Sequence, residues 1–433
     1  MKTLDQIAAE LQGYDPQALP AHTVNAFLAQ MVAPLAGSEA LGLMQAFGRV
    51  LSQDVVSPIN VPAHDNSAMD GYAFAGQELQ TDRSLYLSVV GTALAGSAYA
   101  GHVAPGQCVK IMTGAIMPTG LDTVVPQELV QISPSGITIA PKTVRCGDNR
   151  RFKGEDLQAG NTALAAGTVL LPAALGLLAS LGLPTVCVYP RLRVAYFSTG
   201  DEILSLGQAP REGAVYDSNR YTVYGLLQRM GIECIDMGVV PDDPAALEAA
   251  FRTTADQADA IITSGGVSVG EADHTKAMMR KLAQSDTPGE GGVAFWRIAM
   301  RPGRPMAVGR IGKVPLFGLP GNPVAVMVTF LAFVRPALWR MMGARADEQS
   351  IQPPMLRARS LEAIRKKPGR TEYQRAVVAT DGHGALTVKI TGQQGSGVLS
   401  SMVTANGLLV LHHDQDDVAP GDMLDVMVFT GVM

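Results

Sequence analysis

The spacing of apolar residues divides the chain into helix-like and strand-like regions. Near the N-terminus, apolar side chains three or four positions apart predict a helix over residues 40–51, with Ser38 as its N-cap. The side chains that share this face are Ala40, Leu43, Met44, Phe47, Val50 and Leu51. The run Leu170–Leu183 is uncharged, but Gly182 and Pro184 leave it only about three helical turns, so it predicts a core helix and no membrane span.

From Arg191 onward, short apolar runs alternate with helical segments. The expected strands cover residues 192–197, 232–240, 260–263 and 314–317. The expected helices cover residues 223–230, 245–251 and 274–282, and Asp217 or Ser218 is suited to cap the first. This alternation predicts βαβ units and a mostly parallel sheet.

Two other regions show short strands separated by turns. The first begins at Val61 and contains apolar runs at residues 85–90, 108–112 and 136–140. The second begins near Ser350, where runs at 373–379 and 386–391 flank a turn-rich segment and predict a hairpin. Further strands are expected at residues 408–411 and 423–429. The fold class is therefore multidomain α/β plus β.

Size and charge narrow the functional classes. A chain of 433 residues is long enough for two to four domains. Its net charge of −5 argues against a nucleic-acid partner. The four cysteines, Cys108, Cys146, Cys187 and Cys234, form no C-x-x-C pair, so buried thiols in a reducing cytoplasm are expected. The N-terminal residues show no secretory signal pattern, and no membrane association is expected.

Three glycine-rich loops follow predicted strands of the α/β region. They are residues 198–202, residues 263–270 and residues 318–323. Ligands bind beyond the carboxyl ends of parallel strands, and glycines let backbone N–H groups approach an anion. One such loop is explained by a tight turn alone, whereas three at successive strand ends favour a ligand site. None is a nucleotide-binding Walker A loop.

Acidic residues lie close to these loops. Glu202, Asp242 and Asp273 are expected at the same sheet edge, where carboxylates can bind Mg²⁺ that also contacts substrate phosphates. The alternative is helix capping, since Asp242 or Asp243 can start one helix and Asp273 the next.

A basic cluster follows in the segment from Trp296 to Pro305. Arg297, Arg301 and Arg304 can bind a phosphate or another oxyanion through their planar guanidinium groups. The alternative is a solvated basic surface. Proline at positions 302 and 305 predicts a stiff turn, which favours a site.

Two stretches of the β-rich region lack a helical or strand period. Residues 61–74 and 110–122 would be polar loops by composition alone. Nevertheless, Asn66-Ser67-Ala68-Met69-Asp70-Gly71-Tyr72 resembles the signature of the molybdopterin molybdenumtransferase family, which includes bacterial MoeA and the E domain of gephyrin. Matching motifs continue in order at residues 111–115, 154–156, 198–202, 264–268, 301–305, 319–323 and 395–396.

The resemblance implies a homodimer with four domains per chain. A discontinuous helical linker domain would comprise residues 1–45 and 158–190, with a β-rich domain, residues 46–157, inserted into it. Residues 191–347 would form the α/β molybdopterin-binding domain, and residues 348–433 a C-terminal β-barrel. The family places the site between the α/β domain of one subunit and the β-rich domain of the other.

The resemblance also assigns roles residue by residue. Catalytic positions are Asp70, Thr113, Glu202, Asp242 and Asp273, of which Glu202, Asp242 and Asp273 would also bind the metal. Substrate-binding positions are Arg151, Asp156, Ser264, Gly265, Gly266, Ser268, Arg297, Arg301, Arg304, Pro305, Arg375 and Ser396. The family commonly has lysine where this chain has the three arginines, and often serine where it has Ala325.

The implied activity is Mg²⁺-dependent hydrolysis of adenylyl-molybdopterin to release AMP, followed by insertion of molybdate into the dithiolene. A molybdopterin adenylyltransferase and molybdoenzyme maturation proteins are the implied further partners. Two alternatives stay open: a paralogue that inserts tungstate, and a scaffold protein that kept the fold without the chemistry. Retention of Asp70, Thr113, Glu202, Asp242 and Asp273 argues against the scaffold.

Overall fold

The computed structural model describes residues 2–11, 14–266, 274–282, 292–345 and 351–429. The chain forms two compact units. The first unit comprises Met1–Gln53, Ala166–Pro172 and Thr185–Met433, and the second comprises Asp54–Ala165 and Ala173–Pro184. The predicted ligand loops of the α/β region belong to the first unit.

Nine α-helices occur within the described residues. They are α1 (Leu4–Glu10), α2 (Ala21–Met31), α3 (Pro172–Ser180), α4 (Ser218–Arg229), α5 (Pro244–Gln257), α6 (His274–Leu282), α7 (Pro323–Thr329), α8 (Arg335–Met341) and α9 (Ser400–Thr404). A π-helical segment, Phe330–Val334, joins α7 and α8 into one helix of 19 residues. This helix is long and apolar enough to cross a membrane, but 89% of it is buried inside the protein, so it packs as a core helix.

The strands are short and fall mainly into three six-stranded sheets. In chain order they are β1 (Glu39–Gly42), β2 (Val55–Val56), β3 (Asn66–Ser67), β4 (Gly71–Phe74), β5 (Leu85–Ala93), β6 (Gln107–Ile111), β7 (Thr123–Pro126), β8 (Val130–Ser133), β9 (Gly136–Ile139), β10 (Arg150–Arg151), β11 (Thr162–Leu164), β12 (Thr185–Val188), β13 (Arg193–Thr199), β14 (Ile203–Leu204), β15 (Val215–Tyr216), β16 (Glu233–Val240), β17 (Ala260–Ser264), β18 (Gly292–Arg297), β19 (Met300–Arg301), β20 (Pro305–Ile311), β21 (Val314–Leu319), β22 (Met355–Ser360), β23 (Thr371–Thr380), β24 (Leu386–Ile390), β25 (Gly407–Leu411) and β26 (Met423–Val428).

The α/β sheet of the first unit confirms the predicted architecture. Its strand order is β16-β13-β17-β21-β20-β18. The first four strands are parallel, and β20 and β18 add an antiparallel edge. Helix α4 begins after Asp217, whose side chain accepts a hydrogen bond from the Arg220 N–H, so Asp217 is the cap. The sheet is held by an apolar core in which Phe197 of β13 and Phe251 of α5 pack edge to face, 5.1 Å between ring centres.

The C-terminal strands form the expected barrel. The strands β23, β24, β22, β26 and β25 follow one another, and pairing of β25 with β23 closes the ring. The predicted hairpin is present because β23 and β24 pair antiparallel across the turn. Strand β19 extends the barrel sheet by pairing with β23, which sets Arg301 opposite Glu372.

The second unit is built on a six-stranded sheet with the order β7-β4-β6-β5-β9-β8. This confirms the predicted β-rich region. Strands β4 and β6 pair antiparallel, so that Gly71 lies opposite Ile111. The predicted helix near residue 172 exists as α3, but its description as a core helix was wrong, since Leu178 is its one buried residue. The domain boundaries proposed from the sequence stay a prediction.

The helix expected over residues 40–51 is also wrong. Residues Glu39–Gly42 instead form strand β1, which pairs antiparallel with β12 across more than a hundred residues of sequence. The turn that follows leaves Met44 89% and Phe47 57% exposed, whereas the helical pattern predicts both on the buried face. Of the four cysteines expected to be buried, Cys108 is buried, Cys187 and Cys234 are half-buried, and Cys146 is exposed.

Candidate active site

The described parts of the three glycine-rich loops lie at the same sheet edge because their strands are neighbours in the parallel sheet. Ser198 at the end of β13 lies opposite Ser264 at the end of β17. Ser264 in turn lies opposite Leu319 at the end of β21. The described residues of these loops therefore line one edge of the sheet, where two cavities adjoin; residues 267–270 of the second loop lie outside the described residues.

The loop after β17 requires glycine at two successive positions. Gly265 and Gly266 have positive φ angles of 90° and 62°. A Cβ atom on Gly265 would lie 2.4 Å from the Thr199 carbonyl oxygen, and one on Gly266 would lie 2.4 Å from the Thr275 Cβ. Neither distance is compatible with a side chain, so these glycines bring the loop against its neighbours and open its backbone toward the cavities.

The larger cavity has a volume of about 670 Å³ and is rich in guanidinium groups. We call it the arginine cavity. Its wall includes Glu202, Arg301, Arg304, Asn322, Arg370 and Ser396. Three arginines and a hydroxyl around one space are suited to an anion with several oxygen atoms. The size falls within the range of small-molecule sites.

The turn that carries the predicted basic cluster joins β18 to β20. The Ile298 N–H donates to the Arg304 carbonyl oxygen over 2.7 Å, which closes this segment around the short strand β19, and Arg301 and Arg304 both line the cavity. Both side chains are exposed, and Pro305 lies in the same cavity wall. Arg297 stands at the end of β18 and is exposed, but it is not among the described residues that line the cavity.

Arg375 is not among the described residues that line the cavity, but it holds a loop that does. It is 1% exposed, and its guanidinium donates to Ser401 Oγ at 3.0 Å and to the Gly395 carbonyl oxygen at 2.8 Å. Burial, together with the positive charge of Arg301, lowers the pKa of Arg375. The bond to Gly395 fixes the loop that presents Ser396, so Arg375 positions the wall instead of forming it.

Arg370 lines the cavity and was missed from the sequence. Its Nε donates to Glu372 Oε1 at 2.8 Å, and the pairing of β19 with β23 brings this segment beside Arg301. No motif marks Arg370, because its place depends on two strands separated by about seventy residues.

The predicted carboxylates are only partly described. Glu202 lines both cavities. Asp242 accepts a hydrogen bond from Thr275 Oγ1 at 3.2 Å, while Asp243 caps α5 through the N–H groups of Ala245 and Ala246. Capping therefore does not occupy Asp242. Asp273 and Ser268 lie outside the described residues. Within the described part of the chain, no three His, Cys, Asp or Glu side chains form a group that could bind a metal.

The second cavity has a volume of about 520 Å³. We call it the aspartate cavity, and its wall includes Ser198, Glu202, Tyr216, Asp217, Asn219 and Ser264. Asp217 and Asn219 are 4% and 8% exposed. Among the described atoms, Asp217 Oδ2 and Asn219 Oδ1 have no hydrogen-bond partner. A buried polar atom without a partner costs about 1–3 kcal/mol, so each acceptor would be stabilised by a donor that reaches it.

Ser198 and Ser264, two hydroxyl residues of the aspartate-cavity wall, belong to a hydrogen-bond network with Tyr196. The Tyr196 hydroxyl lies 2.8 Å from Ser198 Oγ and 2.7 Å from Ser264 Oγ. Burial raises the pKa of Tyr196, so the phenol stays protonated. This network holds the ends of β13 and β17 together and fixes Ser264, a predicted substrate-binding residue.

The second unit contains its own cluster of predicted residues. The Asp70 carboxylate accepts hydrogen bonds from the Thr113 N–H and from Thr113 Oγ1, each 2.7 Å long. These bonds lower the pKa of Asp70. Arg151 and Asp156 are exposed in the same unit, Arg151 on strand β10. The structure thus brings Asp70 and Thr113 together, although they are 43 residues apart.

Family comparisons cover most of the chain. Residues 19–182 match the MoeA N-terminal region, described as domains I and II. Residues 195–340 match a probable molybdopterin binding domain. Residues 357–429 match the MoeA C-terminal region, described as domain IV.

Individual relatives agree with these matches. The chain is 40% identical to a molybdopterin molybdenumtransferase of Haemophilus influenzae, covering 92% of this chain and 95% of that one. It is 37% identical to molybdopterin molybdenumtransferase 2 of Mycobacterium tuberculosis, covering 90% and 94%. Among solved structures, the molybdopterin biosynthesis MoeA protein of Pyrococcus horikoshii OT3 aligns with a TM-score of 0.79 at 26% identity, covering 95% of this chain and 100% of that one.

Proposed function

Because this chain belongs to the MoeA family of molybdopterin molybdenumtransferases, we propose that it hydrolyses adenylyl-molybdopterin and inserts molybdate into the product. Water cleaves the phosphoanhydride bond, which releases AMP and leaves the phosphate on molybdopterin. The two dithiolene sulfur atoms then bind the molybdenum of molybdate, and the oxygen ligands they replace leave as water with the thiol protons. The single observation that carries the proposal is the arginine cavity, which places three guanidinium groups beside Glu202 and the glycine-rich loops.

The arginine cavity offers positive charge and hydrogen-bond donors, which an oxyanion requires. Molybdate and phosphate both present several oxygen atoms, and a guanidinium group donates two parallel hydrogen bonds to such groups. Arg301 and Arg304 extend into the cavity from one wall, and Arg370 and Ser396 come from the barrel side of the same unit. The Glu202 carboxylate repels an anion, which confines the oxyanion to the arginine side.

We assign a magnesium ion to Glu202, Asp242 and Asp273. The described members of this set offer carboxylate oxygens, the ligand type that Mg²⁺ prefers, and Asp242 is free of helix capping. When bound, Mg²⁺ would neutralise phosphate charge. Glu202 belongs to the wall of both cavities, so its position suits contact with a substrate that extends from one cavity into the other.

We further propose that the chain acts as a cytoplasmic homodimer, in which Asp70 and Thr113 of one subunit serve the substrate bound by the other. The support is the family resemblance and the geometry of the pair. Thr113 holds the Asp70 carboxylate in its charged form at the surface of the second unit. An ordered, ionised carboxylate can orient water or a metal-bound phosphate.

The proposal is tested by measuring AMP released from adenylyl-molybdopterin. Glu202→Gln and Asp273→Asn should reduce the rate by orders of magnitude, because each removes one negative charge without a large change in shape. Asp243→Asn is the matched control: Asp243 is the N-cap of α5, and asparagine caps helices equally well. Wild-type AMP release in both site variants would contradict the assignment.

A further inference from the structure

We infer that the aspartate cavity is the pterin subsite, and that Asp217 and Asn219 recognise the 2-amino-4-oxopyrimidine edge of the ring. The inference rests on the proposed function, which supplies a pterin-containing substrate, and goes beyond it by assigning one part of that substrate to one cavity. Both residues lie within the segment that matches a probable molybdopterin binding domain.

The hydrogen-bonding character of the cavity is acceptor-rich. Asp217 Oδ1 accepts from the Arg220 N–H, and Oδ2 has no partner among the described atoms. The Asn219 Nδ2 donates to the Gly321 carbonyl oxygen at 2.8 Å, which fixes the amide so that Oδ1 is the remaining acceptor. A ligand that satisfies both oxygens must bring two hydrogen-bond donors.

The pterin edge has this pattern. Its 2-amino group and the neighbouring N3–H are both donors, one for each of the two unpartnered oxygens, Asp217 Oδ2 and Asn219 Oδ1. Adenine, the other heterocycle of the substrate, offers an amino group beside a ring nitrogen that is itself an acceptor. That nitrogen would face Asp217 Oδ2 without a proton between them. The acceptors therefore favour the pterin over the adenine.

The remaining wall suits a flat, uncharged ring. Tyr216, Ile203 and Val215 provide an aromatic and two aliphatic surfaces. The Tyr216 hydroxyl donates to the Gln208 carbonyl oxygen at 2.8 Å, which holds the phenyl ring in place. The described residues that line this cavity include no Lys, Arg or His, so it offers no countercharge to a phosphate.

The two cavities thus bind parts of the substrate that differ in charge. The arginine cavity takes oxyanions, whereas the aspartate cavity, with Glu202 and Asp217 in its wall, takes the neutral heterocycle. Both cavities share Glu202, Gly265, Gly321 and Asn322, so one extended ligand can occupy them together.

Binding of pterin itself, followed by its fluorescence without turnover, tests the assignment. The full-length wild type should bind pterin at least tenfold more tightly than lumazine, which has an oxygen in place of the 2-amino group. Asp217→Asn keeps a helix cap but presents an amide to the donors, and should weaken pterin binding about ten- to a hundredfold while lumazine binding changes little. Asp243→Asn, the same substitution at the cap of α5, should bind pterin like the wild type.

Several results would overturn the inference. They are absence of pterin binding by the wild type, equal affinity for pterin and lumazine, unchanged pterin affinity in Asp217→Asn, and displacement of pterin by adenosine at equal or lower concentration. The comparison of pterin with lumazine uses only the wild type, so it holds even if the variant does not fold. Because no turnover is measured, failure here is distinct from failure to release AMP.

Discussion

The Asp70 carboxylate receives two hydrogen bonds from a single residue, Thr113, one from its backbone N–H and one from its hydroxyl, both 2.7 Å long. The backbone bond contributes most to the lowered pKa of Asp70, and the hydroxyl adds to it. Thr113→Val keeps the shape and the N–H but removes the hydroxyl. We expect the pKa of Asp70 to rise part of the way toward its ordinary value.

The change in the pKa of Asp70 determines the direction in which the pH profile should shift. If charged Asp70 is required, activity is lost as pH falls through its folded pKa, so Thr113→Val should move the acidic limb of the pH profile to higher pH. Thr113→Ser keeps the hydroxyl and should retain the wild-type limb. A pH profile of AMP release distinguishes the three proteins, and identical acidic limbs would exclude this role of the Thr113 hydroxyl.

Arg301 and Arg304 should control the molybdate requirement. A charge-assisted hydrogen bond contributes about 1.5–3 kcal/mol, so alanine at either position should raise the molybdate concentration needed for insertion about ten- to a hundredfold. AMP release should change less. Lysine at either position should restore much of the molybdate affinity, because it keeps the positive charge, but not all of it, because it lacks the planar guanidinium group.

Titration of molybdate against mature cofactor formed checks this prediction. Arg229→Ala, at the exposed end of α4, is the control and should titrate like the wild type. Wild-type molybdate dependence in both site variants would mean that the turn is a solvated basic surface, the alternative considered from the sequence.

Arg375 should matter for stability as well as for the site. Arg375→Met fills a similar volume but leaves Gly395 O and Ser401 Oγ without their buried donor. We expect a loss of about 1.5–3 kcal/mol in the free energy of unfolding and a higher molybdate requirement, since the loop that carries Ser396 loses its anchor. Urea denaturation measures the first effect; Arg365→Met, at an exposed position, should shift neither quantity.

The proposed homodimer predicts complementation between inactive subunits. Asp70→Ala and Asp273→Ala should each be inactive alone, whereas mixed dimers contain one intact composite site and should recover part of the activity. Native mass spectrometry of the mixture verifies that subunits exchange. Exchanged dimers without AMP release would argue that each subunit uses its own Asp70.

The sheet and its loops could be predicted from the sequence because they depend on local pattern. The strands ending at Ser198, Ser264 and Leu319 are buried apolar runs, and parallel pairing brings the loops after them to one edge. The cap of the helix after β15 could be narrowed to Asp217 or Ser218, since both precede an apolar helical face, and the structure identifies Asp217.

The remaining features depend on contacts between distant segments. The apolar spacing of residues 40–51 fits a helix, yet Glu39–Gly42 pairs with Thr185–Val188, and that pairing overrides the local preference. Arg370 reaches the cavity only through the pairing of β19 with β23. The sequence does not predict that one carboxylate oxygen of Asp217 lacks a hydrogen-bond partner, because this depends on which atoms pack around the side chain in the fold.

The most direct test is to incubate the purified full-length protein with adenylyl-molybdopterin, Mg²⁺ and molybdate, and to measure AMP and mature cofactor in the same samples. We expect AMP and cofactor to form together, with AMP release dependent on Mg²⁺ and lost in Glu202→Gln. Tungstate in place of molybdate reports the oxyanion preference of the arginine cavity. No AMP above the protein-free control, or AMP release that persists unchanged in Glu202→Gln, would contradict the account.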